Sequence, residues 1–90
     1  MYKLLQTNEY KKKLKKLIKN GYNINKMKEV VDLLVEGKPL PPKYKDHPLK
    51  GNFIGFRECH VEPDWLLIYK IQNDILILTL VTTGTHSELF

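Results

Sequence analysis

Ninety residues with 42% hydrophobic and 28% charged content suit one domain around a single small core and are too few for two. No stretch approaches the roughly 20 apolar residues of a membrane-spanning helix, and a lone cysteine, Cys59, excludes an internal disulfide. The charge is lopsided: residues 1–50 carry 13 lysines against five acids, whereas residues 51–90 carry Arg57 and Lys70 against five acids. The first half is therefore a candidate surface for phosphate or for an acidic protein, or simply a solvated helix face. Residues Met1 to Gln6 contain neither an apolar run nor a small-residue cleavage site, so no secretory signal and no membrane association are expected, and the cytoplasm is the expected compartment.

Residues 2–6 read as a short strand with Leu4 and Leu5 as its apolar content. Thr7 or Asn8 then offers an N-cap oxygen, Glu9 suits the positive end of a helix, and Tyr10, Leu14, Leu17 and Ile18 recur at helical spacing. A first helix is expected from about residue 8 to 19, stopped by Asn20-Gly21. Asn23 or Asn25 can cap a second helix carrying Ile24, Met27, Val31, Leu34 and Val35 on one stripe, ended by Glu36-Gly37 and Pro39. A short link between two amphipathic helices predicts an antiparallel hairpin that lays its apolar stripe on something flat.

The second half supplies the flat element. Phe53 to Val61, Trp65 to Ile71 and Ile75 to Val81 are three β-rich runs separated by Glu62-Pro63-Asp64 and Gln72-Asn73-Asp74, which predicts an antiparallel meander. The stretch from Gly37 to Asn52 holds Pro39, Pro41, Pro42 and Pro48 and reads as a stiff connection outside any central strand. The expected fold is α+β, in the order β-α-α-β-β-β. A two-helix hairpin covers one face of a mainly antiparallel four-stranded sheet, in a single domain over residues 1–90. The second face of that sheet is left for water or a partner.

All three histidines fall in the connection, the first hairpin and the C-terminal stretch: His47, His60 and His86. Strand alternation sends His60 and Glu58 to the open side if Cys59 and Val61 face the core. Asp64 follows at the hairpin, where it can orient or charge a histidine, although Glu62-Pro63-Asp64 also suits a plain turn with Trp65 starting a core strand. Zinc ligation by the histidines and Asp64 is the weaker reading, since no closely spaced ligand pair is present; no metal or other cofactor is expected. Histidines suit proton transfer near neutral pH, and cleaving RNA needs little more. A base takes the 2′-hydroxyl proton, an acid protonates the departing 5′-oxygen, and cations steady the phosphate. DNA lacks the internal nucleophile. Phe90 offers a ring on which a base can stack. On the first helix, Lys11–Lys15, Lys12–Lys16 and Lys15–Lys19 are like-charge i,i+4 pairs that an anionic partner would relieve.

Three segments carry a resemblance: Tyr44-Lys45-Asp46-His47-Pro48-Leu49, the run from Phe56 through Cys59-His60-Val61-Glu62-Pro63-Asp64-Trp65 to Tyr69, and Gly84-Thr85-His86-Ser87-Glu88-Leu89-Phe90. Together they closely resemble the YafQ branch of the RelE-like toxins of bacterial type II toxin–antitoxin pairs, over essentially the whole chain. The resemblance implies a ribosome-dependent endoribonuclease that cuts mRNA in the A site to a 2′,3′-cyclic phosphate and a 5′-hydroxyl. It implies neutralisation by a cognate DinJ-like antitoxin, with operator DNA reached only through that antitoxin. By the same resemblance His47, His60, Asp64 and His86 are the acid–base residues; it leaves acid and base unassigned, and the division favoured here has His86 as general acid, His60 and Asp64 near the 2′-hydroxyl, and His47 orienting or stabilising the phosphate. Trp65 is the site aromatic and Phe90 the C-terminal aromatic. Many relatives carry an arginine four residues before the last histidine, where this chain has Thr82. A threonine cannot neutralise a phosphorane, so Arg57, Lys50 or Lys70 is expected to take over. The alternative is a weakly active or inactive homologue that acts by binding its antitoxin and supporting operon repression; an unrelated basic RNA-binding domain is a third reading.

Overall fold

Thr7 fixes the start of the helical layer. In the computed structural model, which describes residues 1–90, its hydroxyl oxygen accepts from the Tyr10 N–H at 3.0 Å and donates to the Val81 carbonyl at 2.6 Å. The cap thereby ties helix α1 (Asn8–Lys19) to the neighbouring sheet. Gly21, at φ +96°, turns the chain, and Asn23 caps α2 (Ile24–Val35) by accepting from the Asn25 N–H. Tyr10 and Leu17 of α1 and Met27, Val30 and Leu34 of α2 are buried. Ile24, expected on the stripe, is instead exposed.

The sheet has five strands rather than four: β1 (Lys3–Gln6), β2 (His47–Pro48), β3 (Arg57–Glu62), β4 (Trp65–Gln72) and β5 (Ile77–Gly84). Their spatial order is β1-β5-β4-β3-β2, with β1 parallel to β5 and all other pairs antiparallel. The added strand is two residues long and lies at the edge, where Pro48 loses no ladder bond that a central strand would need. β4 begins at Trp65 as expected, whereas β3 and β5 begin later than their β-rich runs. A 3₁₀ turn occupies Gly51–Phe53, Gly55 has φ +92°, and Leu76 adopts φ +53° just before β5.

The helices cover one face of the sheet. Cys59, Val61, Trp65, Leu67, Tyr69, Leu78 and Leu80 join the helical residues in one core cluster. Leu66 and Ile68 alternate with them, are equally buried, and stand outside that cluster, so they belong to the second face. That face is accordingly not bare. The C-terminal helix α3 (His86–Leu89) turns back at the end of β5. Phe90 just beyond it meets Phe53 edge-on, with ring centroids 5.9 Å apart. No helix is long and apolar enough to cross a membrane.

Candidate active site

His47, Glu58, Ile68 and Thr82 occupy one cross-strand row. His47 pairs with Glu58, Glu58 with Ile68, and Ile68 with Thr82. The next row toward the hairpin is His60, Leu66 and Gly84, which puts His86, two residues beyond Gly84, at the same end of the sheet as His60.

Glu58 joins two of the histidines. Its Oε1 lies 3.6 Å from His47 Nε2 and 3.8 Å from His60 Nε2, and its side chain is only 7% exposed. Each ring is held from behind by a carbonyl, His47 Nδ1 to Lys45 O at 2.8 Å and His60 Nδ1 to Pro63 O at 3.1 Å. A carbonyl oxygen only accepts, so Nδ1 carries the hydrogen on both rings, and both Nε2 atoms are left as the positions that take or give a proton. Lys45 sits in the left-handed region at φ +48°, the turn from which its carbonyl reaches the His47 ring. Glu58 was legible only as a residue sharing a face with His60; its bridging role depends on the two-residue strand that brings His47 opposite.

The third histidine is set by different contacts. Asp64 Oδ1 accepts from the His86 backbone N–H at 3.3 Å, so Asp64 fixes the start of α3, while its expected partner His60 turns to Pro63. Glu88 Oε1 accepts from the Thr85 N–H at 2.9 Å. That bond, with help from Lys16 and Lys13 of α1, holds the Glu88 carboxyl below its usual range. The His86 ring lies 5.3 Å from the Phe90 ring, tilted by 40°, and Phe90 rests on Phe53. Phe53, read from the sequence as the start of a strand, is instead a wall of the site.

Two expected substrate contacts are placed otherwise. Trp65 is completely buried on the helix side, with Nε1 donating to Thr83 Oγ1 at 2.9 Å and the Tyr22 ring packed edge-on at 5.2 Å; its ring belongs to the core and is not presented to a substrate. Arg57 has the same parity along β3 as Cys59 and Val61, so it points to the helix side, away from His60. There it binds Asp46 at 3.0 and 3.4 Å, and Tyr69 OH donates to the same carboxylate. The Asp46 carboxylate holds the Arg57 guanidinium above its ordinary value, and burial followed by Asp46 raises the Tyr69 phenol. Arg57 is therefore turned away from the histidines and already paired.

Thr82 is on the histidine face, but its hydroxyl is buried without a partner. Val81 is the bulged residue that shifts the register between Leu80 and Thr82. Lys50 is exposed at the head of the Gly51–Phe53 turn. Lys70 shares the histidine face by alternation with Leu66 and Ile68, two residues or about 7 Å along β4 from the Glu58–Thr82 row, and its Nζ sits 5.5 Å over the Phe56 ring.

The family profile for the bacterial toxin of type II toxin–antitoxin systems, YafQ, matches residues 2–90. The chain belongs to the YafQ toxin family. It is 46% identical over 83 residues to the mRNA interferase toxin YafQ of Escherichia coli K12, covering 91% of this chain and 88% of that protein. A metal-bound toxin from Helicobacter pylori superposes with a TM-score of 0.94 at 48% identity over the full length of both chains. In the crystal structure of the E. coli DinJ-YafQ complex, the matching chain gives a TM-score of 0.92 at 40% identity, covering 100% of this chain and 99% of that one. The α+β, RelE-like architecture expected from the sequence is thus the architecture of YafQ.

Proposed function

We propose that this toxin is an mRNA interferase, a ribosome-dependent endoribonuclease that works by metal-independent acid–base catalysis. The observation that carries the reading is the meeting of His47 and His60 on Glu58, at the same end of the sheet where Asp64 and Phe90 hold His86. Substrate enters over the open face. His60 Nε2 takes the proton of the 2′-hydroxyl, the freed oxygen attacks phosphorus, and His86 donates a proton to the departing 5′-oxygen, giving the 2′,3′-cyclic phosphate. His47 faces the phosphate from the other side of Glu58. Phe90 and Phe53 supply rings for the neighbouring base, and Lys50 and Lys70 are the cations available on this side. A cognate DinJ-like antitoxin is the expected inhibitor, and operator DNA is reached only through it.

In a reconstituted translation reaction, His60→Ala and His86→Ala should each lose about 10²- to 10⁴-fold in cleavage while still binding antitoxin. Wild-type cleavage by both variants would overturn the assignment. The metal-bound H. pylori relative suggests a chelation test. Cleavage that persists with a chelator selective for zinc and copper at fixed magnesium supports proton transfer by side chains alone, and loss on that chelation with recovery on zinc or copper addition overturns it.

Thr82 favours one second reading. With an uncharged, buried residue in the row facing Glu58, and Arg57 committed to Asp46, the protein acts chiefly by binding its antitoxin. Tight antitoxin binding without growth arrest or mRNA cleavage on expression would decide for it.

A further inference from the structure

An open groove of about 420 Å³ is lined by His60, though not by Glu58, and lies between three segments. Helix α2 contributes Lys26 and Glu29, the turn before β2 contributes Lys43 and Lys45, and the β3–β4 hairpin contributes Glu62 and Pro63. Lys45 and Pro63 are the same two residues whose carbonyls hold the His47 and His60 rings. Anything lying in the groove therefore meets the residues that aim both imidazoles.

We propose that this groove is the track for the RNA strand next to the scissile phosphate, holding the flanking nucleotide. The inference rests on the endoribonuclease reading above and adds where the strand runs. The groove's volume is that of a small-ligand pocket, roughly 300–1,000 Å³, yet only two of its nine lining residues are hydrophobic, which disfavours an apolar side chain or helix. Lys43 and Lys45 carry no carboxylate partner. Lys26 is held by Glu62 at 3.0 Å, half exposed, and is free to exchange that partner for a phosphate. Glu29 has no ion pair either and accepts hydrogen bonds from an exocyclic amine, as a carboxylate does from cytosine. Ammonium groups beside an unpaired acceptor suit a nucleotide, which offers phosphate and base amine together. An acidic peptide offers anionic carboxylates but no base amine.

The test uses fluorescence anisotropy with a five-nucleotide 2′-O-methyl oligoribonucleotide, which cannot be cut because its nucleophile is blocked. Lys26→Ala combined with Lys43→Ala leaves every imidazole clamp in place. We expect the double variant to bind at least tenfold more weakly, with a salt dependence of log K shallower by about 1.4, the value for two lost contacts to a single strand. Glu29→Gln should change the preference between oligonucleotides whose flanking base bears or lacks an exocyclic amine. In translation-coupled cleavage the double variant should show a raised half-saturation point and a nearly unchanged maximal rate. Wild-type affinity and salt slope in the double variant would overturn the groove, as would failure of the wild type to bind the oligonucleotide at millimolar concentration. Loss of antitoxin binding with RNA binding intact would assign the groove to an acidic segment instead and likewise overturn it. Failure of the catalytic reading is separate: a wild type that binds the oligonucleotide through these lysines but cuts no mRNA keeps the track and loses the enzyme.

Discussion

The two faces of the sheet bury comparable side chains for opposite ends. On the helix side no fully buried side-chain nitrogen or oxygen lacks a partner. Trp65 donates to Thr83, whose hydroxyl donates in turn to the Leu66 carbonyl at 2.6 Å, and Tyr69, Asp46 and Arg57 close a second network. On the histidine side Glu58 is buried with its two imidazoles just beyond hydrogen-bond distance, and the Thr82 hydroxyl has no partner at all. Unpaired buried polar groups cost stability. One face is thus built to hold the fold and the other to keep groups available, so substitutions on the two should separate stability from activity.

The largest effect expected on the helix side is Trp65→Ala, which removes a fully buried ring and leaves the Thr83 hydroxyl one partner short. It should lower unfolding stability by about 3–5 kcal/mol in chemical denaturation, with cleavage lost only in proportion to unfolded protein. If Trp65→Ala stays as stable as wild type while cleavage collapses, the ring serves the substrate after all. The matching change on the other face is Glu58→Gln, which keeps volume and removes a buried charge. Both imidazoles lose a shared anchor, and cleavage should fall by roughly 10- to 100-fold, the scale set by small misplacements of reacting groups, with the melting temperature unchanged or raised. A drop in stability comparable to that of Trp65→Ala would show that Glu58 belongs to the fold.

Thr82 and Thr83 are neighbours on β5 with opposite circumstances, and Val exchanges should read the difference directly. Thr83→Val strands the Trp65 indole N–H in the core and should cost about 1–3 kcal/mol. Thr82→Val removes a hydroxyl that bonds to nothing in the protein and should be neutral or stabilise by up to about 1 kcal/mol. Cleavage by Thr82→Val then tells whether the hydroxyl is kept for the substrate; an unchanged rate would remove Thr82 from the site.

How much of this was visible in the chain follows from the range of the interactions. Caps and turns are local, so Thr7, Asn23, Gly21 and the Pro63-Asp64 hairpin sufficed to place both helices and the first meander turn. Alternation is also local. Applied to Glu58 and His60 it predicts their shared face, and applied one residue earlier it would have sent Arg57 to the helix side and removed it as a phosphate ligand. What periodicity could not supply were long-range events: the two-residue β2 that brings His47 to Glu58, the bulge at Val81 that turns Thr82 toward the histidines, and the return of α3 that sets Phe90 on Phe53. Trp65 was open to either reading, since an aromatic directly after a hairpin suits both a core strand and a rim. Only the path of Thr83 across the sheet decides between them.

The smallest effect concerns titration, and it falls again on the helix side. Burial raises the Tyr10 phenol from its ordinary value of 10 to about 12, and burial also raises Tyr69 and Cys59. For an acid whose folded pKa lies above its unfolded one, the unfolded chain loses the proton first as pH rises. The contribution is therefore complete below about pH 10 and is lost as pH climbs toward 12. Thermal melts should accordingly hold steady through neutral pH as far as these groups are concerned, begin to fall above about pH 9, the ordinary value of the Cys59 thiol, and fall more steeply above pH 10. Tyr10→Phe cannot ionise and should lose less over that interval, despite any packing cost that shifts its whole curve. Parallel alkaline curves for Tyr10→Phe and wild type would place the sensitivity at Tyr69 or Cys59, still within the helix-side core. In the paired comparison, Glu58→Gln should leave the tyrosine part of this alkaline limb where it is and ease only the Cys59 part, because the Glu58 charge is the smallest of the causes that raise that thiol.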